Sequence, residues 1–125
     1  MPWRCQLLDH KPSVSTEARI GDMWYVALVD YRGEDRTRME RELSDDWRAQ
    51  RAHTGRILYV MTPAGPWCVD KRSFDGQQWG RGWAITGEAP NTTASPSINF
   101  AGEMGYHGWL RDGWLSDDLE GRAYP

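Results

Sequence analysis

Residues 97–118 read SINFAGEMGYHGWLRDGWLSDD, and they specify more of the structure than any other part of the chain. Polar and apolar residues alternate over 97–100 and again over 106–110, with a five-residue loop between them. Such alternation is typical of antiparallel strands that bury one face. The buried face is predicted to carry Ile98, Phe100 and Leu110. The other face is predicted to carry Ser97, Asn99, His107 and Trp109.

The dipeptide Asp112-Gly113 is the strongest hairpin signal in the chain, because a two-residue type I′ turn favours this pair. A turn of this length also fixes the register of the strands that it joins. The predicted cross-strand pairs are Arg111 with Trp114, Leu110 with Leu115, Trp109 with Ser116, and His107 with Asp118. The stretch 97–118 therefore predicts a three-stranded antiparallel meander.

This meander brings chemistry-bearing side chains together on one face. Ser97 is predicted to lie directly across from His107 or diagonal to it, with Cβ atoms roughly 4.5–8 Å apart. With Asp118 the face then holds a hydroxyl, an imidazole and a carboxylate, the order of nucleophile, base and orienter in acyl transfer. We predict these three as the catalytic residues. The candidates for binding the oxyanion or the substrate are Asn99, Gly102, Gly105 and Trp109.

The same residues also fit a purely structural interpretation. In it, His107 bonds a loop carbonyl, Ser97 is a small strand residue, and the acidic residues of 117–120 form a solvated tail. The pattern of short strands fixes their register only loosely, so both interpretations stay open at the level of sequence.

The remainder of the β-rich part, residues 55–118, predicts further short strands. Residues 57–61 and 67–69 form a hairpin about a proline-glycine turn, and 83–86 form another strand. A polar connection is predicted over 88–95. The run 23–29 is apolar without alternation, which indicates a strand covered on both faces.

Residues 34–53 predict a helical insertion. Met39, Leu43 and Trp47 are spaced by four and share one helical stripe, while Ser44 before two aspartates suits an N-cap. Residues 1–22 are predicted to be an irregular lead-in. The fold class is therefore α+β, mostly antiparallel sheet with one short helical insertion.

Composition limits the protein to one domain over residues 1–125. Only 39% of the residues are hydrophobic, which is low for a folded domain. The 8 Trp, 5 Tyr and 2 Phe compensate, because each large aromatic ring buries much apolar surface. Its longest uncharged apolar run, 23–29, is far shorter than the roughly 20 residues of a membrane span. The N-terminus lacks the pattern of a secretory signal, so we expect no membrane association and a cytoplasmic location.

Charge and ligand spacing exclude other classes. With 15 Lys and Arg against 18 Asp and Glu, the net charge of −3 argues against a nucleic-acid surface. Cys5 and Cys68 are predicted to be free thiols, because a disulfide framework in so short a chain would need more cysteines. No two cysteines or histidines have the paired spacing of a zinc site, so we predict neither a metal nor another cofactor.

Several motifs resemble a family of small phage proteins that are often mislabelled as ammonia monooxygenases. The similar stretches are 83–90 (WAITGEAP), 95–99 (SPSIN), 106–110 (YHGWL), 112–113 (DG) and 115–118 (LSDD), with further likeness at 21–25 and 43–45. The likeness covers most of the chain and is most specific at 95–118. Similar domains accompany ubiquitin-like conjugation genes in bacterial antiphage operons.

The resemblance implies a serine-type peptidase or isopeptidase that acts on a ubiquitin-like protein or its conjugates. The family's Pro-Ser-aliphatic step and its later histidine correspond here to Ser97 and His107. In a phage-encoded copy it implies a counter-defence factor in the cytoplasm of the host cell. Bacterial members carry a cysteine cluster that resembles a metal site, and this chain has no such cluster.

A binding module without catalysis is the alternative function. The aromatic-rich sheet would then dock a host defence protein, because tryptophans are favoured interface anchors. The rings proposed for this surface are Trp67, Trp79, Trp83, Trp109 and Trp114. The natural substrate and the oligomeric state are not predicted by the sequence.

Overall fold

The computed structural model describes residues 2–13, 17–28, 40–72, 80, 82–100 and 105–124. The strands, in chain order, are β1 Trp3–Arg4, β2 Gln6–Leu7, β3 Asp22–Ala27, β4 Arg56–Thr62, β5 Gly65–Cys68, β6 Ala84–Thr86, β7 Thr93–Phe100, β8 Tyr106–Arg111 and β9 Trp114–Leu115. The α-helix α1 spans Asp45–Gln50, and a 3₁₀ turn follows at Ala52–Thr54. Residues 40–42 are also helical.

These strands form two sheets. One sheet has the order β1-β9-β8-β7-β6, and the other has the order β2-β3-β4-β5. All of the paired strands run antiparallel except β2 and β3, which run parallel. The predicted α+β class with mostly antiparallel sheet is confirmed.

The two sheets share one hydrophobic core. Its buried members from the β1–β9 sheet are Ile85, Ala94, Ile98, Tyr106, Leu110 and Leu115, and those from the β2–β5 sheet and the residue after it are Met23, Leu58, Val60, Trp67 and Val69. Full burial of an aliphatic or aromatic side chain contributes about 1.5–3 kcal/mol, so this cluster is the main source of stability. The predicted core face of the meander is confirmed, with Phe100 packed against the cluster.

β3 is buried on both of its faces, as predicted. Met23 is fully buried between the sheets, and its neighbour Trp24 is 2% exposed on the opposite side. There Trp24 and Val26 pack with Met61, and the Trp24 ring stacks on Tyr59. An unbroken apolar run is therefore the correct signal for this strand.

The N-terminal segment is not the irregular lead-in that the sequence suggested. β1 pairs with β9 at the edge of one sheet, and β2 pairs with β3 at the edge of the other. Between them Cys5 is 3% exposed and donates its main-chain N–H to the Gly113 carbonyl at 2.7 Å. Strands of two residues are too short to display alternation. They are recognised only in the tertiary structure, where they pair with the edges of the two sheets.

The connection predicted over 88–95 is also shorter than expected. β7 begins at Thr93, and its first residues pair with β6, where Ala84 lies opposite Ser95. The polar residues of 93–95 resemble a loop in sequence. Pairing with a distant strand, which the local pattern does not encode, makes them part of the sheet.

The helical stripe predicted through Leu43 and Trp47 is interrupted before α1. Leu43 forms an antiparallel β-bridge with Lys71, and Ser44 then caps the helix, so pairing with a distant segment ends the stripe. The Ser44 hydroxyl accepts the Trp47 N–H at 3.1 Å, which confirms the predicted N-cap. Leu43 and Trp47 are buried, whereas Met39 and the rest of 34–39 lie outside the described residues. No helix in the described ranges is long and apolar enough to cross a membrane.

Side chains of α1 cover the sheet edge at β6. Asp46 accepts the Ile85 N–H at 2.9 Å, and the Gln50 amide donates to the Ile85 carbonyl at 3.2 Å. An uncovered edge strand offers unpaired groups to another chain. The helix therefore provides hydrogen-bond partners for the main-chain N–H and carbonyl of Ile85 on the side of β6 that has no neighbouring strand.

A buried carboxylate joins the helical segment to β4. Asp70 pairs with Arg51, accepts the Leu58 N–H at 2.8 Å, and receives the Ser44 N–H on its carbonyl at 2.7 Å. Burial raises the pKa of Asp70 to about 6, against the opposing effect of the Arg51 guanidinium. Removing either partner alone would leave an uncompensated buried charge, which is strongly destabilising.

The Asp112-Gly113 turn has the predicted geometry. Asp112 has φ 46° and Gly113 has φ 78°, and the flanking pairs are Leu110 with Leu115 and Arg111 with Trp114. A Cβ on Gly113 would lie 2.6 Å from the Pro90 carbonyl oxygen. This position needs glycine for two reasons, its positive φ and the close approach of the backbone.

We predict that Gly113→Ala lowers the free energy of unfolding by about 2–4 kcal/mol, since left-handed strain and a backbone clash add together. Gly55→Ala is the matched control, because Gly55 also has positive φ but has no heavy atom within 4 Å of the added Cβ. It should lose only about 1 kcal/mol. Urea unfolding of both variants measures the difference, and equal losses would contradict the packing argument.

Candidate functional site

Ser97 and His107 are in hydrogen-bond contact on the outer face of the β1–β9 sheet. The Ser97 hydroxyl oxygen lies 3.0 Å from Nε2 of His107. Asn99 pairs with His107 and Phe100 with Tyr106, so Ser97 is diagonal to the histidine. Of the two predicted registers, the structure has the diagonal one. Both side chains are half-buried.

The backbone at Ser97 is irregular and is held from the side. The pairing of β7 with β8 shifts register between Ala94 and Ile98, so Ser97 lies in the irregular part of this strand pair. The indole N–H of Trp83 donates to the Ser97 carbonyl at 3.3 Å, and the Trp83 ring meets the buried Trp67 ring edge-on at 4.9 Å. A core tryptophan pair thus fixes the strand segment that carries the hydroxyl.

Gly108 orients the strand that carries His107. The Tyr106 hydroxyl crosses over Gly108 to donate to the Ser116 carbonyl at 2.7 Å. A Cβ on Gly108 would lie 2.1 Å from that hydroxyl oxygen, so only glycine leaves the path open. With Tyr106 locked inward, the alternation of β8 directs His107 and Trp109 outward.

Asp118 lies beside His107, but its hydrogen bonds go to the main chain and to Arg122. Oδ1 accepts the His107 main-chain N–H at 2.8 Å and the Arg122 guanidinium at 3.0 Å. Oδ2 accepts the main-chain N–H groups of Glu120 at 3.2 Å and Arg122 at 2.8 Å. Among the described residues, no hydrogen bond links this carboxylate to the His107 ring. The pairing of β8 with β9 ends at Leu115, and the His107 carbonyl accepts the N–H of Leu119 rather than that of Asp118. The predicted cross-strand pair of His107 with Asp118 is therefore not formed, and the Asp118 carboxylate contacts the His107 backbone rather than the imidazole.

The carboxylate continues the sheet beyond the end of β9. His107 donates its main-chain N–H to Asp118 and accepts the Leu119 N–H on its carbonyl at 2.6 Å. Both main-chain groups of His107 are thereby satisfied by 118–119, although β9 ends at Leu115. Burial raises the pKa of Asp118, but its bonds from Arg122 and His107 outweigh this effect and hold the pKa below its usual value.

The residues predicted to bind the oxyanion or the substrate are placed differently from one another. Asn99 is exposed and lies opposite His107, and Trp109 is half-buried on the same face. Gly105 is buried, and its carbonyl accepts the Tyr124 hydroxyl at 2.5 Å. Gly102 lies outside the described residues. The side chains beside the pair are therefore Asn99 and Trp109.

The cysteines are poor candidates for a nucleophile. Cys5 and Cys68 are free and buried, and burial raises the pKa of each thiol to about 12. Neither forms the reactive thiolate near neutral pH. Within the ranges that the structure describes, no cluster of three or more His, Cys, Asp or Glu side chains could hold a metal ion.

The tryptophans proposed for a docking surface do not share one environment. Trp67 is 8% exposed in the core, and Trp114 is 45% exposed at the outer face. Trp83 packs against Trp67, and the Arg111 guanidinium lies over the Trp109 ring. Trp79 lies outside the described residues.

Sequence reasoning did not assign Trp83 or Arg122 to the support of the pair. Trp83 bonds the Ser97 carbonyl, and Arg122 bonds the Asp118 carboxylate that accepts the His107 N–H. Arg122 follows Asp118 by four positions, and this spacing in an otherwise acidic tail was a usable signal for an ion pair. Trp83 has no local signal for this contact, because it reaches the Ser97 carbonyl from the residue before β6, which is distant in sequence.

Comparison with known proteins gives no relatives. No family model matches the chain. No curated protein matches it, and no solved structure does.

We predict that Asp118→Asn destabilises the protein, because an amide NH₂ would face main-chain donors that the carboxylate now accepts. The pKa of Asp118 is lower in the folded protein than in the unfolded chain, where it is about 3.9. The carboxylate therefore stabilises the fold at pH values above about 3.9. This stabilisation disappears as the pH falls through the pKa of the folded state. The difference in unfolding free energy between wild type and variant should therefore be largest at neutral pH and shrink below about pH 4.

Urea unfolding at several pH values measures this difference. Asp117→Asn is the comparison variant, since Asp117 is the adjacent exposed carboxylate outside the four-bond arrangement. A deficit of Asp118→Asn that is independent of pH would contradict the assigned cause.

Proposed function

We propose that this chain is a serine-type hydrolase that acts through a Ser97–His107 dyad. The observation that carries the proposal is the 3.0 Å contact between the Ser97 hydroxyl oxygen and Nε2 of His107. This distance is within the range at which a base takes the proton of a nucleophile. The pair also faces outward, where a substrate can reach it.

The first half of the reaction forms an acyl-enzyme. With the ring hydrogen on Nδ1, Nε2 of His107 accepts the Ser97 proton while the Ser97 oxygen attacks the substrate carbonyl carbon. The tetrahedral intermediate collapses, its bond to the leaving amine breaks, and His107 returns the proton to the amine nitrogen. Asn99 is the side chain placed to donate a hydrogen bond to the developing oxyanion.

The second half uses water as the nucleophile. Nε2 takes a proton from a water molecule as its oxygen attacks the acyl carbon, and the Ser97 oxygen leaves and regains the proton from His107. The products are a carboxylic acid and the free serine. No oxidant, reductant or metal is needed for this balance.

Asp118 acts in this proposal as a positioning residue rather than as a partner of the imidazole. It fixes the main chain of His107 by accepting its N–H. Because φ and ψ of His107 set the direction of its side chain, a loosened backbone would displace Nε2 from Ser97. This replaces the role of orienting the imidazole ring, which the predicted hairpin register assigned to Asp118.

The substrate class comes from the family resemblance in 83–118. We propose a peptide or isopeptide bond of a ubiquitin-like modifier or its conjugates, cleaved in the cytoplasm of a host cell as a counter-defence reaction. The binding module remains the second candidate, favoured by the exposed Trp114 and the outward Trp109.

A fluorophosphonate probe tests the hydrolase proposal. We predict covalent labelling at Ser97, identified by peptide mass, and loss of labelling in both Ser97→Ala and His107→Ala. Ser95→Ala is the matched control, because Ser95 is an exposed serine of the same strand. It should label as the wild type does. Circular dichroism verifies that each variant is folded.

Asp118→Asn adds a positioning readout to the same assay. If Asp118 acts through the His107 backbone, the folded Asp118→Asn variant labels more slowly than the wild type, whereas Asp117→Asn labels at the wild-type rate. Equal labelling rates in Asp118→Asn and the wild type would contradict the positioning role. Folded wild-type protein that does not label would reject the hydrolase and leave the binding module.

Cleavage of a ubiquitin-like conjugate tests the substrate class separately. We predict that purified protein releases free modifier from a host conjugate and that Ser97→Ala loses this activity by at least about a thousandfold. Gel analysis of the conjugate measures the release. Labelling at Ser97 without cleavage would keep the hydrolase and reject this substrate class.

A further inference from the structure

The outer face beside the Ser97–His107 pair holds a stacked arginine. The Arg111 guanidinium lies over the Trp109 ring, 4.1 Å from its centroid. Both residues belong to β8 and share the outward face with His107. Stacking on an aromatic ring fixes the plane of a guanidinium without using any of its N–H donors.

Arg111 differs in this respect from the other stacked arginine of the same sheet. Arg4 lies over Trp114 at 5.4 Å, but it also donates to the Asn91 side chain at 2.9 Å and to the Asp112 carbonyl at 3.2 Å. Among the described residues, Arg111 has neither a hydrogen-bond acceptor nor an ion-pair partner. Arg111 is exposed, and the described residues leave its N–H donors unused while the stack holds their plane.

We propose that the Arg111–Trp109 stack binds a carboxylate of the substrate and so selects acidic substrates for the Ser97–His107 pair. A planar guanidinium matches a carboxylate by two parallel N–H···O bonds, which a flexible lysine cannot reproduce. The inference rests on the proposed function, because it concerns the specificity of the same site.

The spacing along β8 limits where the substrate carboxylate lies. Trp109 and Arg111 are two and four residues from His107, or about 7 and 14 Å at 3.4 Å per residue, and the Arg111 guanidinium lies over the Trp109 ring. An extended peptide covers these distances in about two to four residues. The carboxylate is thus about two to four residues from the scissile carbonyl, and it belongs either to an acidic side chain or to a free chain terminus.

Two matched fluorophosphonates test the proposal. They differ only at the end of a linker of about 10 Å, within the range of about 7–14 Å that separates His107 from Trp109 and Arg111, and this end carries a carboxylate in one probe and a neutral carboxamide in the other. We expect the carboxylate probe to label Ser97 about three- to tenfold faster in the wild type, as an ion pair with the exposed Arg111 allows. The rate ratio should fall to about one in Arg111→Gln and should decrease at high salt.

Control variants separate the stack from general charge. Arg56→Gln removes one positive charge from the other sheet and should keep the wild-type ratio. Arg111→Lys keeps the charge without the planar fork and should give an intermediate ratio. If Arg56→Gln lowers the ratio as much as Arg111→Gln does, net charge rather than the stack is responsible, and the proposal is wrong.

The source of the carboxylate is identified by protection of Ser97 from the neutral probe. Three peptides are compared, one with Glu and an amidated terminus, one with Gln and a free terminus, and one with Gln and an amidated terminus. Protection by the first or the second supports the proposal and names the source. Protection by neither of them overturns it.

The outcomes distinguish this inference from the proposed function. Equal labelling by both probes in the wild type leaves the hydrolase intact and overturns the Arg111 subsite. Labelling by neither probe overturns the hydrolase and the subsite with it.

Discussion

The close approach of three chain segments at the Asp112-Gly113 turn is the constraint on which the rest of the structure depends. Gly113 accepts the Cys5 N–H at 2.7 Å and donates its own N–H to the Thr92 carbonyl at 3.1 Å. The turn therefore touches the N-terminal segment that links both sheets and the segment that leads into β7. No side chain fits there, since a Cβ would lie 2.6 Å from the Pro90 carbonyl oxygen. One tight turn thus determines how far each of these segments extends.

Hydrogen bonding to β8 continues past the last residue of β9. Main-chain bonds join the Ser116 N–H to the Trp109 carbonyl at 2.9 Å and the Leu119 N–H to the His107 carbonyl at 2.6 Å. Side-chain oxygens add to them, with Ser116 accepting the Trp109 N–H at 2.8 Å and Asp118 accepting that of His107. Buried carboxylates are stable only when they are fully bonded, and Arg122 supplies the counter-charge here. A short polar tail thereby supplies hydrogen bonds to the strand that carries the histidine where β9 has ended.

The core and the candidate site divide the β1–β9 sheet between its two faces. The inward face is apolar and shared with the second sheet, so it provides stability. The outward face carries Ser97, His107 and the stacked arginine, which contribute little burial. Variants of the outward face can therefore change chemistry without unfolding the protein, which is why the labelling assays are informative.

The sequence by itself determined the elements whose signals are local. Alternation predicted both faces of the meander, a turn dipeptide predicted the β8–β9 register, and Ser44 predicted the start of α1, because each depends on neighbours within a few residues. Only the tertiary structure decided what depends on distant contacts: the two-residue strands at the sheet edges, the early start of β7, and the Trp83 bond to Ser97. It also decided that Asp118 bonds the His107 backbone, since register fixes which residues are neighbours but leaves the side-chain rotamer to the surrounding donors.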